Sequence, residues 1–139
     1  MTKVFADTSY WIALLKPGDE HQDKARRVAS ELVKPVQYVT TEMVLAEFLN
    51  SLAKYGASIR AAAIGLVDEL RERRDTLIIE QTHPQFEAAL NVYRSYADKD
   101  WALTDCASYA AMQARGLDLA LTHDHHFEQM GFRALLRES

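Results

Sequence analysis

The stretch Lys3–Leu15, KVFADTSYWIALL, decides how the chain is read. Val4, Phe5 and Ala6 are three consecutive apolar residues, the mark of a strand buried on both faces. Trp11, Ile12, Leu14 and Leu15 recur at helical spacing. Asp7 stands at the handover from strand to helix, with Thr8 and Ser9 after it. Burying an unpaired carboxylate is costly. Asp7 therefore either caps the helix that follows, as Asp, Ser and Thr do, or serves a site at the end of the strand.

The same strand-then-helix grammar continues along the chain. The spacing predicts a helix over Ser9–Lys16 stopped by Pro17-Gly18, and an exposed helix over Asp19–Val33 ended by Pro35. A strand follows at Gln37–Thr40, then helices over Thr41–Tyr55 and Ala57–Arg74, with Thr41 as a cap and Gly56 as the break between them. Thr76–Gln81 is rich in β-branched residues and reads as a strand. A helix with Pro84 in its first turn comes next, then a helix over Ala102–Arg115 closed by Gly116. Leu117–Thr122 and Gly131–Leu136 read as the last strands. Alternating strands and helices argue for a three-layer α/β/α domain spanning residues 1–139, around a mostly parallel sheet of four to five strands. Ligand sites of such sheets lie at the carboxyl ends of the strands.

Composition narrows the function classes. The chain has 139 residues, 48% hydrophobic and 26% charged, with a net charge of −4. That balance suits a globular domain and speaks against an extended basic surface tracking nucleic-acid phosphates. A nuclease is compatible with it, because an acidic metal site itself lowers the net charge. Cys106, the single cysteine, allows no internal disulfide and suits a reducing compartment. The N-terminus has no long apolar run, so neither a signal peptide nor a membrane span is expected, and the expected location is the cytoplasm.

The acids fall where a site belongs. Asp7 ends the first strand, and Asp124 follows the strand in LDLALTHDHHF (Leu117–Phe127). Asp105 lies in the first turn of its helix, and Glu47 lies at the edge of an apolar helical stripe. Carboxylates gathered at one sheet edge repel one another and raise each other's pKa. A hard divalent cation such as Mg²⁺ or Mn²⁺ reverses that repulsion, polarises a phosphoryl oxygen and acidifies a water. The implied chemistry is phosphodiester hydrolysis.

FADTSYWIALL, TEMVLAEFLN, DKDWALTDCASYAAMQARG and LALTHDHHFEQMGFRAL, taken in order, resemble the successive motifs of the PIN-domain ribonucleases, and within these the small toxins of the VapC type. The resemblance spans nearly the whole chain. It implies a Mg²⁺- or Mn²⁺-dependent endoribonuclease that leaves a 5′-phosphate and a 3′-hydroxyl, the toxin of a type II pair with a partner antitoxin, and a homodimer. By position it assigns the metal-binding and catalytic acids to Asp7, Glu47, Asp105 and Asp124, and the hydroxyl beside the first acid to Ser9, with Thr8 next to it. Where such chains carry a small polar cap three residues before the third acid, this one has Ala102, and Thr104 is expected to take over part of that role.

Around these acids, Thr8, Arg94, Lys99, Asp100 and His125 are candidate substrate contacts, and Asp100 also a candidate auxiliary ligand. Tyr10 and Trp11 are candidates to stack on a base. His123, His125 and His126 surround Asp124 without the second ligand cluster that a zinc site needs. Two other readings compete with the nuclease. One is a phosphohydrolase with Asp7 as nucleophile, which would want a second Asp where Ser9 stands. The other is a PIN-like module that binds RNA or protein without catalysis.

Overall fold

A computed structural model describes residues Met1–Ser139. Five strands form one sheet: β1 (Thr2–Ala6), β2 (Val36–Thr41), β3 (Thr76–Ile79), β4 (Leu119–Leu121) and β5 (Arg133–Ala134). They lie in the order β3-β2-β1-β4-β5, and every neighbouring pair is parallel. The helices are α1 (Thr8–Leu15), α2 (Gln22–Ser30), α3 (Glu42–Leu52), α4 (Ala57–Glu72), α5 (His83–Ser95), α6 (Leu103–Ala114) and α7 (His126–Gln129). The three-layer α/β/α arrangement is the one expected from the alternation of elements, and its sheet is wholly parallel. No helix is long and apolar enough to cross a membrane.

The strand order places the site. From β1 the sheet grows through β2 to β3 on one side and through β4 to β5 on the other. The connections therefore diverge between β1 and β4, and that is where α/β sheets open a crevice. Register sets the details. Phe5 pairs with Ala120 and Ala6 with Leu121, so the residues just past both strands, Asp7 and Thr122, arrive side by side. The Asp7 N–H donates to the Leu121 carbonyl at 3.2 Å and extends this ladder by one step. Val4, Phe5 and Ala6 are fully buried, as a central parallel strand requires. Trp11, Phe48 and Phe127 fill the core around them.

Several boundaries differ from the sequence reading for local reasons. The second helix was expected from Asp19 and begins at Gln22, because the Asp19 carboxylate accepts from the His21 N–H at 2.8 Å and holds a turn there. The fourth strand starts at Leu119 rather than Leu117. Leu117 and Gly116 donate to the Met112 and Gln113 carbonyls, so both belong to the stop of α6, with Gly116 at φ 64°. The same device recurs after α7. Gly131 (φ 91°) and Phe132 donate to the Glu128 and Phe127 carbonyls, leaving only Arg133–Ala134 as the last strand. Thr41 caps α3 as expected, accepting from the Val44 N–H at 3.0 Å.

Candidate active site

Each acid reaches the β1–β4 crevice by a different route. Asp7 is delivered by the end of β1 and is 5% exposed. It stands at the N-cap position of α1, but its side chain makes no capping bond there. Instead its Oδ2 accepts from the Thr122 hydroxyl at 2.9 Å. Asp105 is set by the first turn of α6, where its Oδ2 accepts from the Ala102 N–H at 3.1 Å. Ala102 has no side-chain acceptor, so only this half of a capping arrangement exists. Thr104, expected to compensate, makes no side-chain hydrogen bond, so the Asp105 carboxylate alone serves this helix start. Glu47 comes from the middle of α3, half-buried, on a helix that also packs against α6. It has neither an ion-pair nor a hydrogen-bond partner. Asp124 follows β4, and its Oδ1 accepts from the His126 N–H at 2.9 Å.

Electrostatics shows that these groups share one field. Burial pushes the Asp7 carboxyl up to about 7, helped by Asp105 and Glu47 and opposed by the Thr122 hydroxyl and the Thr8 backbone N–H. Burial also raises Asp105, with the Asp124 and Glu47 charges adding to it and the Ala102 N–H and His126 opposing. Asp7 therefore feels Glu47 and Asp105, and Asp105 in turn feels Asp124. The Asp7–Glu47 side of this chain of repulsions has no protein cation in contact. Carboxylate oxygens are the ligand type that hard divalent cations take.

Two residues to which the sequence reading gave no role in the acid cluster organise it. Thr122 is fully buried at the end of β4. Its hydroxyl donates to Asp7, accepts from the Asp124 N–H at 3.0 Å and meets the Ser9 hydroxyl at 3.2 Å. One side chain thus ties together the first acid, the loop of the fourth acid and Ser9. Its signal in the sequence is slight: a Thr as last residue of a buried strand, two before an acid.

His126 is the second. Its Nδ1 lies 3.1 Å from Asp105 Oδ2 and 3.2 Å from Asp124 Oδ1. The first is a hydrogen bond and the second an ionic contact, so a proton on Nδ1 would serve both carboxylates. Its Nε2 lies 3.0 Å from Asp100 Oδ1, off the N–H direction, an ionic rather than a directed contact. Burial opposes protonation of this ring, but Asp124, Asp105 and Asp100 outweigh it and the pKa rises. The neighbouring carboxylates therefore favour the cationic form of this ring between two of the acids. Neighbouring His125 sits at the rim, more than half exposed, with Nδ1 3.7 Å from Asp124. Ligand atoms of Asp124, His125 and His126 lie within 4.8 Å of one another.

The outer candidates divide. Asp100, Arg94 and Lys99 border a cleft beside the acids. Thr8 does not offer a substrate contact: the packing of α1 buries it, hydroxyl included. Tyr10 and Trp11, considered for base stacking, are core residues for the same reason.

Removing the Thr122 hydroxyl tests this wiring. Thr122→Val keeps the shape but strips the donor from Asp7 and the acceptor from the Asp124 N–H. We expect a loss of about 2–4 kcal/mol in denaturant unfolding, since each buried group left unpaired costs roughly 1–3 kcal/mol. The Asp7 carboxyl, read by NMR, should titrate higher still. Unchanged stability and titration would show that this hydroxyl organises nothing.

An all-parallel sheet with carboxylates gathered at its switch point defines an acid-cluster α/β protein, and residues 4–133 match the model of the PIN domain. The chain belongs to the PIN-domain family. It is 30% identical over 132 residues to the 23S rRNA-specific endonuclease VapC20 of Mycobacterium tuberculosis, a match covering 93% of this chain and 95% of that protein. The crystal structure of M. tuberculosis VapC20, a toxin that cleaves the sarcin–ricin loop, superposes with a TM-score of 0.82 at 25% identity, covering 94% of this chain and 97% of that one. Two further structures share the fold. VapBC2 of Rickettsia felis, bound to a DNA fragment from its promoter, has a TM-score of 0.67 at 15% identity, covering 92% of each chain. FitAcB of Neisseria gonorrhoeae has 0.62 at 18%, covering 94% of this chain and 97% of that one.

Proposed function

We propose that this protein is a divalent-metal-dependent endoribonuclease and the toxin of a type II toxin–antitoxin pair. The observation that carries the chemistry is the field linking Asp7, Glu47, Asp105 and Asp124, with the buried Asp7 carboxyl raised to about 7 and no protein cation beside it. Such a cluster is unfavourable alone and is relieved by a doubly charged ion. The likeness to VapC20 supports structured ribosomal RNA as the substrate class. In this reading Mg²⁺ or Mn²⁺ is held by those four acids. Bound there, the ion neutralises charge at the scissile phosphate and acidifies a water.

The chain's own groups do the positioning. Thr122 aims Asp7, and the Ala102 N–H anchors Asp105. Ser9, joined to the same hydroxyl, stands beside the first acid. His126 holds Asp105 and Asp124 in place against their repulsion through the proton on Nδ1. Asp100, Arg94, Lys99 and His125 form the rim that meets RNA. An antitoxin that silences the enzyme, a homodimer and a cytoplasmic setting complete the proposal.

The test is direct. The purified protein is incubated with a ribosomal stem-loop RNA in Mg²⁺ or Mn²⁺ and, in parallel, in EDTA. Cleavage with a 5′-phosphate at the cut, abolished by EDTA, is expected. Full activity in EDTA would overturn the metal reading. RNA that is bound but never cut, with either ion, would favour the non-catalytic module.

A further inference from the structure

Next to the acid cluster, α5 and the segment leading into α6 enclose a cleft of about 780 Å³, within the range of small-ligand sites. Its floor is apolar, with Leu90, Trp101 and Leu103 among the lining residues. Tyr93 lines it while remaining 56% exposed, unusual for a large aromatic side chain. Arg94 and Lys99 stand at the same cleft on an otherwise acidic chain. The side-chain partner of Arg94 is the neutral amide oxygen of Asn91, at 3.0 Å, so its charge is uncompensated.

The cleft is continuous with the acids through two direct contacts. Asp100, on its border, reaches His126 at 3.0 Å, and Ala102, also on its border, donates its N–H to Asp105. Trp101 is locked beneath it, its indole N–H donating to Gln129 on α7 at 2.8 Å and its ring 4.7 Å from that of Tyr96. The wall nearest the acids is therefore rigid, and the exposed wall carries an aromatic ring beside the uncompensated Arg94 and beside Lys99, whose ammonium is paired with Asp98 at 3.3 Å.

We propose that this cleft is a nucleobase subsite: it receives one unstacked base of the RNA flanking the cut, with Tyr93 as the stacking platform and Arg94 and Lys99 holding the adjoining phosphates. The inference rests on the ribonuclease reading above and deepens it. Proteins read RNA in sequence-specific fashion mainly at loops and bulges, where splayed bases stack on aromatic and guanidinium planes. A paired helix presents no free base to a cleft of this depth. The subsite thus selects loops over duplexes and sets which nucleotide lies beside the acids.

The probe is a stem-loop RNA with one 2-aminopurine in its loop, against a fully paired duplex carrying the same substitution. Binding is measured in EDTA on Asp7→Asn, so that nothing is cut. Quenching of the loop fluorophore is expected on Asp7→Asn, with a Kd weaker by about tenfold or more when Tyr93→Ala is added, and retained with Tyr93→Phe. In turnover assays on the otherwise native protein with metal present, the Tyr93→Ala loss should fall on KM. Arg94→Gln should weaken loop binding and reduce its salt dependence. Equal Kd and KM for Tyr93→Ala and the parent would overturn the subsite. So would a Tyr93→Ala protein that turns from dimer to monomer in sedimentation while keeping loop affinity, because the face would then be a contact between copies. Failure of the parent reading looks different, since the native protein would then cut no RNA at all.

Discussion

Asp7→Asn is expected to lose RNA cleavage by about 10³-fold or more while keeping the fold. A cation in contact with the scissile phosphate is worth several kcal/mol of charge stabilisation, and each 1.4 kcal/mol or so is tenfold in rate. Asp7 is the least exposed acid of the cluster, at 5%. Asn matches its shape, and its amide oxygen still accepts from Thr122, so the change removes charge and little else. Single-turnover cleavage of the stem-loop, with circular dichroism as a folding control, measures the effect. A variant retaining a tenth of the native rate would remove Asp7 from the metal site.

The same substitution should have the opposite sign on stability. Without metal, the folded carboxyl binds its proton up to about pH 7, whereas the unfolded one releases it near 3.8. Where the folded pKa is raised, the native state binds more protons, and stability falls as pH rises between those two values. Above pH 7 the native protein must bury an ionised Asp7 beside Asp105 and Glu47. In EDTA at pH 8, Asp7→Asn should therefore be more stable by about 1–3 kcal/mol, and this gain should vanish near pH 4. Adding Mg²⁺ or Mn²⁺ works against that ranking, closing the gap and reversing it where the variant's gain lies below the binding contribution. At a hundredfold excess over Kd, binding contributes about 2.7 kcal/mol, roughly 5–10 °C in Tm for a domain of this size. The variant should gain much less. Equal ion-induced shifts in both proteins would mean that the ion sits elsewhere. Chemical denaturation across pH, with and without the ion, supplies both measurements.

Both effects arise at a position visible from thirteen residues of sequence. Val4, Phe5 and Ala6 read as a buried strand, and Asp7 at its end as either a helix cap or a site residue, because strand burial and the helix after it are local patterns. Asp105 in a first helical turn and Asp124 after a strand were equally legible. What surrounds them was not. THDHHF reads as a turn with one substrate-facing histidine; the structure forms the short helix α7 there, anchored by the buried ring of Phe127, which leaves His125 at the rim near Asp124 and turns His126 in between Asp105 and Asp124. Which of two adjacent histidines faces inward depends on where a four-residue helix docks, and no periodicity can be read over so few residues. Thr8 and Tyr10 beside Asp7 were similarly ambiguous, since a hydroxyl or a phenol one turn into a helix faces solvent or core according to what packs over it.

The sequence by itself determined the alternation of strands and helices, the glycine stop at position 116, and the placing of acids at element ends. These follow from hydrophobic spacing, backbone freedom and capping chemistry within a few residues. Only the tertiary structure decided the order β3-β2-β1-β4-β5, and with it the meeting of Asp7 and Thr122 across 115 positions of chain. Strand pairing is a contest among distant segments, settled by which packing buries the most apolar surface with every ladder bond made. That contest brought Glu47 and Asp105 to the same edge on α3 and α6 and turned separate carboxylates into one electrostatic problem.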